Sequence, residues 1–120
     1  MQNEEPIWRL VDKRRDDYLD LADRIWEAPE IAYNEYNSVA EHTAMLEKEG
    51  FRVTKDLAGI PTAVMGEAGD EGPVIAILGE YDALPGLSQE AGIAEPKPRP
   101  GDGMGHGCGH NLLGDRKSVV

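Results

Sequence analysis

A chain of 120 residues with 40% apolar and 29% charged side chains has the length and composition of one ordinary folded domain, which argues against wholesale disorder and against a second complete core. Its formal charge of −11 disfavours phosphate-rich surfaces, so neither nucleic acid nor an anionic membrane is an expected partner. No run approaches the roughly 18 apolar residues of a membrane span, "MQNEEPIWRL" lacks the marks of a secretory signal, and the single cysteine suits a reducing compartment, so the cytoplasm is the expected location.

Pro6 after "NEE" suits the first turn of a helix, where no backbone N–H is required. Ile7, Leu10, Val11, Tyr18, Leu21, Ala22 and Ile25 recur at helical spacing through Glu27, around a charged block at 13–17 that reads as a solvated face. Pro29 stops this helix and "PEIAYNEYN" reads as a loop. Ser38 and Glu41 have capping-box spacing and predict a second helix that ends at Gly50, with Val39, Thr43 and Leu46 facing inward. "FRVT" and "TAVMG" then read as strands. A glycine-rich connection leads to "VIAIL", residues 74–78, whose unbroken apolar run predicts a strand buried on both faces. Two helices followed by three strands give an α/β class, with helices covering a sheet. Beyond Pro85, three further prolines and several glycines predict a surface loop or linker.

Two stretches carry candidate chemistry. "GEYDALPG" follows the predicted buried strand and places Glu80 and Asp82 at its carboxyl end, where open α/β sheets gather their ligands. Acids two residues apart in extended chain point the same way, so they suit a cation or the support of a metal-bound histidine; solvation or turn capping remains the other reading. "GDGMGHGCGHNLLG", residues 101–114, has glycine at every odd position from 101 to 109. The dinucleotide fingerprint needs glycines five apart, of opposite parity, and a P-loop needs Gly-Lys-Ser or Gly-Lys-Thr; both fail. In an extended segment His106, Cys108 and His110 fall on one face, a donor set suited to zinc and other late divalent ions. With one cysteine and three histidines in the chain, such a site is open or completed by carboxylates. The competing reading is local bonding by the histidines and a small buried cysteine.

"GHGCGHNLLG", "GEYDALPG" and "WEAPEIAYNE" together resemble the M20 family of metallopeptidases and amidohydrolases, in its M20D-like branch of hippurate, auxin-conjugate and aminobenzoyl-glutamate hydrolases. The resemblance extends from the first helix through Gly114, and Asn111 followed by "LLG" resembles the aminobenzoyl-glutamate subgroup more than the hippurate hydrolases. It implies a three-layer α/β/α zinc-peptidase-like catalytic domain, of which residues 1–114 are the N-terminal part. It also implies two divalent ions, zinc or manganese, with Cys108 and His110 as ligands and Asp82 in a supporting catalytic role beside them. Glu80 matches a position that varies between branches, and no ligand role is carried over to it or to His106.

The implied reaction is hydrolysis of an amide in an N-acyl amino acid or aminobenzoyl-glutamate-like small molecule, with a metal-activated water and a glutamate that shuttles the proton. That glutamate, further histidines and a lid domain used for oligomerisation follow the glycine-rich motif in the family. Here "DRKSVV", residues 115–120, reads as an atypical tail, the mark of a truncation or frameshift, and the chain alone is expected to be inactive. The alternatives are a non-enzymatic metal-binding or thiol module, or a fragment without function whose unpaired "VIAIL" segment leaves apolar surface exposed.

Overall fold

The computed structural model describes residues 4–117, with α1 at Glu4–Glu27, α2 at Tyr36–Lys48, β1 at Arg52–Lys55, β2 at Val64–Glu67 and α3 at His110–Lys117. The predicted tail at 115–120 therefore begins inside α3, and residues 118–120 lie outside the described residues. α1 follows the predicted stripe, but only its C-terminal part is covered. Leu21, Ala22 and Ile25 are buried, with Tyr18 packed beside them, whereas Ile7, Trp8, Leu10 and Val11 stay exposed. Length explains the difference. At about 1.5 Å per residue, the 24 residues of α1 run far beyond the 13 of α2 that pack against it.

Ion pairs bridge the two helices, Arg14 to Glu49 at 2.8 Å, Arg24 to Glu41 at 2.9 Å and Lys48 to Asp17 at 3.3 Å. The charged block at 13–17 is thus only partly a solvated face. Pairs that are exposed or only partly buried, as these are, are worth about 0–1 kcal/mol each, so they add little beside the apolar packing of the two helices.

α2 starts two residues before the predicted cap. Ser38 lies inside the helix and Glu41 reaches Arg24, so the expected capping box does not form. Glu30, from the preceding loop, takes its place. One carboxylate oxygen accepts from the backbone N–H and the side-chain amide of Asn37, and the other accepts from the N–H and hydroxyl of Ser38. A carboxylate here satisfies free N–H groups and complements the helix dipole together. At the other end, Gly50 adopts φ 85° and the N–H groups of Gly50 and Phe51 bond the carbonyls of Glu47 and Leu46, the paired closure predicted at that glycine.

β1 and β2 form an antiparallel two-stranded sheet with Val53 opposite Gly66. The predicted third strand is absent. Residues 74–78 have no regular structure, and Val74, Ile75 and Leu78 are 96%, 81% and 82% exposed. A doubly buried strand needs a neighbour at an edge and a layer on each face; β1 and β2 pair with each other, and among the described residues nothing pairs with 74–78. The architecture is mixed helix and sheet, compatible with part of an α/β domain. Residues 86–103 form the predicted surface loop, tied by bonds such as Glu90 N–H to the Lys97 carbonyl and Lys97 N–H to the Gln89 side chain.

The core joins Leu21 and Ile25 of α1 to Met45 of α2, with Tyr81 packed against them. Tyr81 stacks on the buried His42 at 4.7 Å between ring centroids and donates its hydroxyl to the Thr62 carbonyl. Burial, reinforced by Glu35 and Glu30, pushes the Tyr81 hydroxyl up to about 12. Burial pushes His42 down to about 4, against a weak opposing pull from Glu41.

A histidine with a depressed folded-state pKa is held neutral, so the unfolded chain binds the extra proton below its ordinary pKa and stability falls with acid. Between pH 7 and pH 5 this residue is expected to remove about 2 kcal/mol of stability, read from urea unfolding at the two pH values; His42→Leu should flatten most of that slope. A second expectation concerns Gly105, whose added Cβ would lie 2.1 Å from the Leu87 carbonyl oxygen. Gly105→Ala should cost about 3 kcal/mol, the upper end for overpacking against backbone, in the same unfolding measurement.

Candidate metal centre

Three segments far apart in sequence meet beside the C-terminal end of α1. Ala83 donates its N–H to the Glu30 carbonyl at 2.7 Å and forms a parallel bridge with Ile31. Leu84 and Gly105 exchange two backbone bonds of 3.0 Å, and Ser88 N–H bonds the Gly103 carbonyl. The close approach at Gly105 is what its missing side chain permits. The glycine-rich stretch is therefore a paired and packed segment.

From Gly105 the chain does not continue straight. A turn closed by Gly109 N–H on the His106 carbonyl, with Gly109 at φ 75°, swings it into α3, whose first residue is His110. His110 Nδ1 lies 2.8 Å from Asp82 Oδ1, both side chains about one-fifth exposed. A carboxylate oxygen accepts, so this contact puts a proton on Nδ1, and in the neutral ring it leaves the lone pair on Nε2. That is the arrangement in which a carboxylate orients a histidine for metal coordination.

The same turn undoes the predicted alignment of three donors on one face. His106 points inward and is 4% exposed, its Nε2 donating to the Ile25 carbonyl at 3.1 Å. Burial lowers its pKa, with the Ile25 bond opposing. Its ring lies 6.3 Å from that of Trp26, and the role left open for it is that of an anchor to α1. Cys108 sits exposed on the turn. Glu80 is exposed, while its backbone carbonyl lies under Gly114, where an added Cβ would come within 2.9 Å of it and 3.1 Å of the His42 ring.

Among the described residues no group of three or more histidine, cysteine, aspartate or glutamate side chains converges on a common point. The residues present fit a divalent ion as an incomplete donor set: an imidazole nitrogen oriented by a carboxylate, and an exposed thiol two residues before it. The structural roles of two residues escaped the sequence reading. Asn111, buried, donates its amide to the Ala22 carbonyl at 3.3 Å, and Glu30 caps α2. The acid following Pro29 was visible, but nothing in its spacing ties it to a helix that begins six residues later.

No family model matches the chain. Curated proteins do. The chain is 49% identical over 113 residues to a subunit of the p-aminobenzoyl-glutamate hydrolase of Escherichia coli, covering 90% of this chain and 23% of that protein. It is 34% identical over 105 residues to Xaa-Arg dipeptidase of Mus musculus (79% and 20%) and 31% identical over 106 residues to N-acetylcysteine deacetylase of Bacillus subtilis (87% and 25%). The chain thus spans about a quarter of the length of these relatives. Their names are those of a hydrolase, a dipeptidase and a deacetylase, and identity over most of this chain with each of them shows that it belongs to the M20 family of metallopeptidases and amidohydrolases.

Proposed function

We propose that this chain contributes part of a divalent metal centre to an amide hydrolase, with Cys108 and His110 as metal ligands and Asp82 as the carboxylate that orients His110. The observation that carries this reading is the 2.8 Å contact between Asp82 Oδ1 and His110 Nδ1, which fixes the tautomer whose Nε2 can bind metal. When bound, zinc or manganese would polarise the amide carbonyl and lower the pKa of a water. The remaining ligands, a second ion and the proton-shuttling glutamate are assigned to the part of the relatives that this chain does not span.

Within the chain, Asp82 holds the Nδ1 proton of His110 and stabilises positive charge drawn onto the ring by coordination. Cys108, as thiolate, adds negative charge and affinity for a soft divalent ion. A reduced thiol in this role suits the cytoplasm. The relatives' names share one chemical theme, an amide joining an acyl group to an amino acid, and the proposed substrate is a small molecule of that class, including aminobenzoyl-glutamate-like compounds. The Escherichia coli relative is named as a subunit, which supports assembly with further chains, identical or different. The three-layer α/β/α architecture belongs to the same proposal: the water-exposed Val74, Ile75 and Leu78 fit a strand that finds its cover in a longer protein.

The exposure of Cys108 and the absence of a third donor beside it among the described residues favour a second reading, a non-enzymatic metal-binding or thiol module. The two part on hydrolysis by a longer form of the chain. That activity should vanish in Cys108→Ala under the first reading and be absent from the start under the second.

In the 120-residue chain itself, zinc titration followed by calorimetry should show binding that Cys108→Ala and His110→Ala abolish and that Asp82→Asn weakens by about 10–100-fold, the usual effect of removing a carboxylate behind a metal-bound histidine. Unchanged affinity in both ligand variants would remove the assignment. With N-acyl amino acids and added zinc or manganese, the 120-residue chain is expected to give no turnover; measurable hydrolysis would show that its own residues complete a catalytic site.

A further inference from the structure

Glu30 serves two elements with one residue. Its carboxylate accepts four hydrogen bonds from the first turn of α2: 2.9 and 3.0 Å from the backbone and side-chain nitrogens of Asn37, and 2.9 Å from each of the backbone nitrogen and hydroxyl of Ser38. Its backbone carbonyl accepts the Ala83 N–H at 2.7 Å. Ser38 is fully buried, so the α2 end of this link is set into the interior. Ala83 is 1% exposed and directly follows Asp82. The next residue, Leu84, is bonded in both directions to Gly105, which opens the turn leading to His110.

From these contacts we infer that Glu30 is a positioning residue for the Asp82–His110 pair. Its side chain fixes residue 30 against α2, and its carbonyl fixes the backbone on which Asp82 stands. A hydrogen bond of 2.8 Å tolerates little displacement of either partner. If residue 30 shifts, Asp82 moves off Nδ1, and the imidazole reverts to the Nε2–H tautomer preferred in water, whose Nε2 has no lone pair for a metal. Glutamine in place of glutamate keeps the size but sets an NH2 group against two of the four donors, so half of the cap is lost.

The tautomer of His110 is read directly from side-chain 15N NMR at pH 8, without metal. The wild-type chain should show the Nδ1–H form. Glu30→Gln should shift the ring toward Nε2–H and weaken zinc binding by about tenfold, the low end for a residue acting behind a ligand. Gly50→Ala strains the far end of α2 and should lower stability without moving either signal, which separates positioning from general loosening. If Glu30→Gln does not fold, Asn37→Ala/Ser38→Ala removes two of the same four bonds, keeps the carboxylate and carries the same expectation. Wild-type tautomer and affinity in folded Glu30→Gln, or in the double variant, would overturn the inference. The affinity readout rests on the metal-ligand reading of Cys108 and His110, whereas the tautomer does not: a chain that binds no zinc but shifts tautomer in Glu30→Gln keeps the positioning role and loses the ligand assignment.

Discussion

Leu21 and Ile25 are fully removed from water against Met45, and the same two turns of α1 offer the Ala22 and Ile25 carbonyls that accept Asn111 and His106. The C-terminal end of one helix thereby holds both the apolar core and the glycine-rich segment. These carbonyls already belong to a helix, but each oxygen has two lone pairs, and in buried surroundings the added bond resists displacement far more than an exposed ion pair does. If this end of α1 moved, the turn at 106–109 would lose its footing, and with it the placement of His110.

The site itself rests on a relay of short contacts rather than on a pocket. Glu30 joins α2 to Ala83, Ala83 carries Asp82, and Asp82 fixes the imidazole of His110. The paired segment from Leu84 to Gly105 supplies the second side of this frame. Such a frame determines direction with few groups. It aligns one imidazole and leaves Cys108, two residues earlier, at the surface.

Local features of the sequence were legible where local forces decide the structure. The stripe from Tyr18 to Ile25 and the closing glycine at 50 needed only helical periodicity and backbone geometry, and both helices and the strands β1 and β2 formed within a few residues of the predicted bounds. The pairing of Asp82 with His110 stayed an expectation of neighbourhood until Leu84 and Gly105 were seen to bond. The run at 74–78 has the composition of a buried strand, yet burial depends on partners, and those are not among the described residues. Alternation of His106, Cys108 and His110 promised one face only for extended chain, and the turn at Gly109 sent His106 inward. Ser38 has the residue type of a cap, but a carboxylate eight positions earlier satisfied that turn first.

Zinc-edge X-ray absorption on the chain loaded with one equivalent of zinc tests most directly whether Cys108 and His110 bind one divalent ion together, with Asp82 behind the histidine. The expected first shell holds one sulfur at about 2.3 Å and at least one imidazole nitrogen at about 2.0 Å, the sulfur disappearing in Cys108→Ala. A first shell of oxygen and nitrogen alone in the wild-type chain, unchanged by that substitution, would contradict the shared site.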